Sequence, residues 1–136
     1  MKITSVDIWT VVVPTIPGRV HSPEWVPETG WDRVPKQILR INTGTGLAGI
    51  GETGRGTGAE TVVAGAARLV GRDPESLTLR DIFREPADGT EEVLETAAGE
   101  AYEAFETAVL DLVGRMRGLP LHALLGGAVR ERVRAD

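Results

Sequence analysis

The stretch with the clearest capacity for binding chemistry is the proline-rich segment from Pro14 to Pro35. It contains five of the eight prolines and two of the three tryptophans of the chain. A connection of this length in a small domain is usually a lid, a binding loop or disordered. Its candidate ligand contacts are His21, Trp25 and Trp31. The two indole rings either close an apolar wall over a ligand or pin the loop to its own domain, and the residues alone leave both readings open.

Residues suited to acid–base catalysis or metal binding are scarce. Lys2 and Lys36 are the only lysines, both lie in predicted strands, and no triad of spaced carboxylates accompanies them. His122 is better explained as a polar surface residue than as a base. Abstraction of a proton next to a carboxylate needs both a tuned base and an electrophile. We therefore predict no catalytic residue and no metal ligand in these 136 residues.

Two further patterns suggest function but have simpler explanations. Residues 49–54 fit the glycine pattern of dinucleotide sites, yet such a site needs its first glycine in a turn between a strand and a helix. Here the glycines fall within a predicted strand, so nucleotide binding is disfavoured. Glu91 and Glu92 are adjacent in a predicted helix and do not face one another, which favours a solvated helix start over a catalytic carboxylate pair.

The composition excludes several classes of protein. A net charge of −5 and a pI near 5.1 disfavour binding to nucleic acid or to anionic membranes. No apolar run reaches the length of a membrane span, and the apolar run Ile8 to Val13 is too short for a signal sequence. The absence of cysteine excludes disulfides and thiolate metal sites, so the expected compartment is a reducing cytoplasm.

The order of the predicted elements is strands first and helices later. Strands are predicted at 2–13, 36–43 and 48–53, and the short Gly44–Gly46 turn makes the last two an antiparallel hairpin. Thr57 to Glu60 is a predicted capping box that opens a helix ending at Gly71. A shorter helix is predicted from Asp73 through Leu77, Ile82 and Phe83. This order indicates an α+β domain, in which a small antiparallel sheet packs against a helical layer.

A long helix is predicted from Leu94 to Met116, where apolar residues recur every three or four positions. Thr90 is its predicted N-cap, Gly118 suits the left-handed position after its end, and Pro120 prevents its continuation. Five alanines between positions 97 and 108 predict that a neighbouring element approaches closely. The apolar side of this helix is expected to remain partly uncovered.

The segment Ala104-Phe105-Glu106-Thr107-Ala108-Val109-Leu110-Asp111-Leu112, followed by Gly118-Leu119-Pro120 and Leu124-Leu125-Gly126-Gly127, resembles the end of the N-terminal capping domain in the enolase superfamily. The mandelate racemase and muconate lactonizing enzyme branch is the best match. Residues 42–52 resemble the hairpin ending in Gly-x-Gly-Glu of the same domain. The chain departs from the family pattern at Glu106, where aspartate is usual, and at Leu110, where tryptophan is usual. The resemblance spans the whole chain.

The resemblance implies a capping domain over residues 1–127 and the start of a truncated (β/α) barrel at 128–136, with Val129 to Asp136 as a strand lacking its sheet. It implies an enzyme that removes the α-proton of a hydroxy acid or acid sugar, using Mg held by three barrel carboxylates and a Lys or His base. The expected partners are a small-molecule carboxylate, the chain's own barrel and further copies in a homo-oligomer. The loop and the turn near Glu52 to Gly56 would cover the site, with these substrate-binding residues: His21, Trp25, Trp31, Glu52, Thr53 and Arg55.

Dehydration is preferred over racemisation by analogy with the acid-sugar members, and cycloisomerisation of an unsaturated dicarboxylate is the next option. The alternative from another class is a free-standing α+β binding or oligomerisation module without a barrel. The residues of the fragment do not distinguish these possibilities, because the chemistry would lie downstream of Asp136.

Overall fold

The structure, a computed structural model, describes residues 1–16, 33–77 and 97–132. The strands β1, β2 and β3 form an antiparallel sheet in the order β1-β2-β3, and the helices follow them in sequence. The predicted α+β class and three-stranded antiparallel sheet are therefore confirmed. The elements are β1 (Ile3–Pro14), β2 (Arg33–Thr43), β3 (Ala48–Glu52), α1 (Ala59–Leu69), α2 (Ala97–Arg117) and α3 (Leu121–Leu124).

The central strand, β2, is longer than its sequence suggested. It begins at Arg33 instead of Lys36 and passes through Pro35, which lies opposite Val12 of β1. Proline is tolerated there because the paired part of β3 reaches only to Ile38, so the side of β2 turned away from β1 has no strand beside Pro35. The remaining strand ends agree with the prediction to within one residue.

The inner face of the sheet packs against α2. Leu39 and Ile41 of β2 are buried there together with Phe105 and Leu112 of the helix. Over residues 101–113 the sheet and α1 cover the apolar side of the long helix, so the expectation that it stays partly uncovered is wrong for this part. The stripe residues Ala101, Ala104, Phe105, Ala108, Val109, Leu112 and Val113 are all 8% exposed or less.

The contact between β3 and α2 depends on two glycines. A Cβ atom at Gly51 would lie 2.0 Å from the carbonyl oxygen of Ala104, and one at Gly49 would lie 2.0 Å from that of Ala108. The strand backbone therefore rests directly on the helix backbone. The predicted close approach to the alanine-rich helix is confirmed, and the element that makes it is a strand. These glycines serve packing, in keeping with the disfavoured nucleotide-binding reading.

One predicted helix start is displaced by one residue and one predicted helix end is confirmed. The N-cap of α1 is Gly58 in an extended conformation, and the predicted cap, Thr57, is the buried residue before it. At the end of α2, Gly118 has a φ of 63°. The N–H of Leu119 there donates to the carbonyl of Gly114 over 2.9 Å, as in a Schellman motif.

Residues 73–77 form a turn where a shorter helix was predicted. Asp73 stabilises it, because its carboxylate accepts the N–H of Glu75 at 3.1 Å and also binds the N-terminal amine. These two interactions hold the pKa of Asp73 below its usual value, the first having the larger effect. The rest of that helix, with Ile82 and Phe83, lies outside the described residues, as do Thr90, Glu91, Glu92 and Leu94.

Residues 128–132, which follow α3, carry no strand, and Val129 is almost fully exposed. The expectation that Val129 to Asp136 is a strand lacking its sheet stays a prediction. In the ranges that the structure describes, no helix combines the length and the apolar character that crossing a membrane requires. The boundary between residues 127 and 128 stays a prediction.

Candidate functional site

The turn that follows β3, residues 52–56, is fixed to the sheet at Thr53. The backbone N–H of Gln37 donates to the Thr53 hydroxyl at 2.9 Å, and the Thr53 N–H donates to the Gln37 carbonyl at 2.9 Å. The Gln37 side chain in turn accepts the Thr10 hydroxyl at 2.7 Å. Thr53 is 1% exposed, so its bonds to Gln37 are shielded from water. A side-chain oxygen therefore extends the β2–β3 pairing and sets where the turn begins.

The predicted contacts on this turn do not share one surface. Glu52 is exposed on the outer face of the sheet, the face turned away from the helices, and binds Lys36 of β2 with an Nζ to Oε1 distance of 2.6 Å. Thr53 is directed to the interior, as expected for the next residue of an extended chain. Arg55 is exposed two residues further on. The structure thus leaves Glu52 and Arg55 accessible and uses Thr53 internally.

The other three predicted contacts, His21, Trp25 and Trp31, lie outside the described residues. The ends of their segment are placed by the first two strands, since β1 ends at Pro14 and β2 begins at Arg33. Pro14 and Arg33 are cross-strand partners. The segment therefore leaves and re-enters the sheet at neighbouring positions.

The carboxylate of Asp111, on α2, binds the backbone at the outer edge of β3. This role was not assigned to it from the sequence. One carboxylate oxygen accepts the N–H of Ile50 at 3.0 Å, and the other accepts the Nε–H of Arg115 at 2.9 Å. The helix thereby satisfies an outward-facing donor of β3 and closes that edge. The sequence signal that could have indicated this role is the position of Asp111 within the Ala104 to Leu112 motif of the long helix.

Replacing Asp111 with alanine should destabilise the domain by about 1 kcal/mol, because the Ile50 N–H loses its acceptor. The amide of Ile50 should exchange with deuterium faster, while urea unfolding reports the loss of stability. Asp111→Asn keeps an oxygen acceptor and should have the smaller effect. Arg115→Ala removes only an exposed ion pair, so an equal loss in that variant would show that the ion pair matters and the edge contact does not.

A groove of about 280 Å³ lies between the C-terminal half of α2 and residues 118–121. Leu110, Leu119 and Leu121 supply much of its apolar lining, while Asp111 and Arg115 line it with charge. Leu119, Leu121 and Leu125 are exposed. This end of the domain therefore presents apolar surface where the chain passes out of the helical layer.

The described residues do not fit a magnesium ion. No three His, Cys, Asp or Glu side chains within them come close enough together to hold a metal. Magnesium needs several convergent oxygen ligands. The carboxylates of Glu52 and Asp111 are instead engaged with Lys36 and Arg115. We therefore assign no residue of the described ranges to holding the ion.

Comparison with known proteins assigns this geometry to a family. Residues 10–126 match the model of the mandelate racemase / muconate lactonizing enzyme N-terminal domain. The chain is also similar to a probable glucarate dehydratase of Streptomyces coelicolor, with 33% identity. That match covers 98% of this chain and 33% of the relative.

Solved structures give the same result. An enolase from Thermobispora bispora, complexed with magnesium and formate, is 31% identical with a TM-score of 0.73, over 96% of this chain and 33% of the other. An enolase from Pseudomonas fluorescens with bound magnesium, potassium and tartrate is 26% identical with a TM-score of 0.72, over 96% and 33%. The chain spans about a third of the length of these relatives. It is an N-terminal capping domain of the enolase superfamily and belongs to the mandelate racemase and muconate lactonizing enzyme family.

Proposed function

We propose that this chain caps the active site of a magnesium-dependent enzyme that removes the α-proton of a hydroxy acid or acid sugar. Dehydration is the preferred outcome, ahead of racemisation and cycloisomerisation. The observation that carries the proposal is the match of 98% of the chain to a probable glucarate dehydratase. The tartrate bound to the Pseudomonas enolase, itself a hydroxy acid, supports the substrate class.

In this proposal the chain selects and encloses the substrate, and the chemistry belongs to the barrel domain. Magnesium, held there, would stabilise the negative charge that develops when the proton leaves. The described residues of the cap suit a passive role, because Lys36 is engaged with Glu52 and the domain offers no cluster of metal ligands among them. Alone, the chain should bind magnesium weakly and turn over no acid.

Within the cap, we assign substrate contact to Glu52 and Arg55 and a supporting role to Thr53. Both contact residues are exposed on the 52–56 turn. A guanidinium suits the carboxylate of an acid sugar, and a carboxylate accepts hydrogen bonds from sugar hydroxyls. The Thr53 hydroxyl already accepts a buried hydrogen bond from Gln37, so its contribution is the position of the turn. His21, Trp25 and Trp31 would complete the cover from the loop.

The exposed apolar end of the domain is suited to packing against the barrel domain. The groove beside residues 118–121 and the exposed leucines around it lie where the chain leaves the helical layer. Relatives that match this chain are about three times as long, which leaves a large domain to cover that surface. Burial of the apolar side chains would then hold the cap on the barrel.

A chimera tests the proposal directly. Residues 1–127 replace the corresponding N-terminal third of the Streptomyces coelicolor dehydratase, and a panel of acid sugars is assayed for release of the keto acid. The expected result is a folded enzyme whose substrate preference differs from that of the parent. A folded chimera that acts on no acid in the panel, while the parent remains active, would contradict the capping role.

In that chimera, Arg55→Ala should raise KM about tenfold or more with a smaller change in kcat, because a binding contact is lost. Thr53→Val should instead lower the melting temperature, because Gln37 loses its buried acceptor, and Thr53→Ser should restore it. Steady-state kinetics and thermal denaturation on the three variants separate the two roles. An unchanged KM in Arg55→Ala would remove Arg55 from the site.

A further inference from the structure

The ion pair between Lys36 and Glu52 is supported by buried contacts between the residues that follow them. Gln37 follows Lys36 in β2, and Thr53 follows Glu52 at the end of β3. Gln37 and Thr53 exchange two hydrogen bonds of 2.9 Å and are 5% and 1% exposed. These bonds fix the backbone that carries both charged side chains, so the two side chains start from set positions on the outer face of the sheet.

The contact between the two charged side chains is short. Lys36 Nζ lies 2.6 Å from Glu52 Oε1, with 26% of the lysine side chain and 59% of the glutamate side chain exposed. Exposed ion pairs usually add little stability, because ordering two long side chains offsets their attraction. The fixed backbone and the partial burial of the lysine lower that cost here. We therefore expect the pair to stay formed on the surface.

The pair changes what Glu52 presents to an anion. A hydroxy acid or acid sugar carries at least one negative charge at neutral pH, and an unpaired carboxylate that faced it would repel it. With Lys36 beside it, the charge of Glu52 is balanced, while the carboxylate keeps acceptor positions for hydroxyl groups. A paired Glu52 can therefore bind the hydroxyls of an acid without repelling its carboxylates.

We propose that Lys36 is a positioning residue that holds and neutralises Glu52, so that the 52–56 turn accepts acid sugars with two carboxylates. Lys36 acts through Glu52 and does not itself contact the substrate. Repulsion from an unpaired Glu52 grows with the charge of the substrate, so the loss of Lys36 weakens binding of a dicarboxylate more than of a monocarboxylate. This role rests on the proposed function, to which it adds the residue that sets how much negative charge the cap tolerates.

Lys36→Met in the dehydratase chimera tests this role with two probes, glucarate with two carboxylates and galactonate with one. Binding of each probe is measured as a KM or, for a probe that is not turned over, as an inhibition constant. At low ionic strength the variant should bind glucarate about fivefold more weakly and galactonate about twofold more weakly. The difference should shrink at high ionic strength, because salt screens the repulsion.

Two further variants separate charge balance from direct contact with the substrate. Lys36→Arg keeps the charge and should keep the ratio of the two binding constants. Lys36→Met/Glu52→Gln leaves no unpaired charge, so it should return that ratio to its original value even if both acids bind more weakly. A double variant that retains the altered ratio would show that Lys36 contacts a substrate carboxylate directly, which overturns the positioning role.

Lys2→Met is the matched control, because Lys2 is the only other lysine and precedes β1 at the opposite end of the sheet. It removes the same charge and should leave the ratio unchanged, and circular dichroism confirms that each variant is folded. The role of Lys36 alone is overturned by an active chimera that does not bind glucarate, or in which Lys36→Met changes the ratio no more than Lys2→Met. A folded chimera that acts on no acid would instead contradict the proposed function, and this role with it.

Discussion

A Gly51→Ala variant is expected to lose about 3 kcal/mol or more of its free energy of unfolding. The added methyl group would lie 2.0 Å from the Ala104 carbonyl oxygen and 3.2 Å from the Ala108 side chain. The first of these neighbours is helix backbone, which moves only if β3 and α2 separate along their contact. Urea denaturation followed by circular dichroism measures the loss.

Gly54→Ala is the matched control in the same part of the chain. A Cβ atom at Gly54 would meet no heavy atom within 4 Å, and its backbone is not in the left-handed region. The substitution should therefore leave stability unchanged or raise it by about 0.4–1 kcal/mol through the unfolded state. Equal losses of stability in both variants would show that the effect at Gly51 does not come from the close packing of β3 on α2.

The second large effect is expected from the loop tryptophans in the dehydratase chimera. Replacing Trp25 or Trp31 with alanine should lower kcat/KM about ten- to a thousandfold, because an aromatic wall over the substrate is lost. The melting temperature should change little. This prediction rests on the composition of the loop, since both residues lie outside the described ranges.

A structural role of the two tryptophans would give a different set of results. Rings that pin the loop to the domain would lower the melting temperature when removed and would slow all substrates alike. Assays of each variant against several acid sugars, together with thermal denaturation, distinguish the two roles. A loss of stability with unchanged relative specificity would show that neither tryptophan contacts the substrate. The assignment of His21 as a substrate contact would then be withdrawn as well.

Features set by neighbouring residues were predictable from the sequence. The tight turn around Gly46 defines the β2–β3 hairpin, and Gly118 followed by Pro120 ends α2 where expected. These signals act within a few residues and depend on backbone conformation alone. The start of β2 was misplaced because Pro35 normally indicates the end of a strand, and its tolerance depends on how far β3 extends.

Features that depend on distant partners were missed. The pattern around Thr57 matches a capping box, but the N-cap is the next residue, Gly58, and Thr57 is buried. The role of Asp111 depends on an N–H that is 61 residues away. Thr53 was assigned to the substrate because it lies on the turn expected to cover the site, although a strand places alternate side chains on opposite faces. For Asp111 and Thr53 the deciding contact joins residues that are distant in the sequence.

The backbone contact between β3 and α2 has an evolutionary consequence. Interlocked side chains in an interface usually require compensating changes when one of them is replaced. In this contact the constraint falls on Gly49 and Gly51, because β3 has no side chain on the face that meets α2. The exposed positions of the 52–56 turn, which begins at the end of this strand, can therefore vary without repacking the frame beneath it. Under the proposed capping role, a lineage could explore new substrates at these positions while the architecture is inherited unchanged.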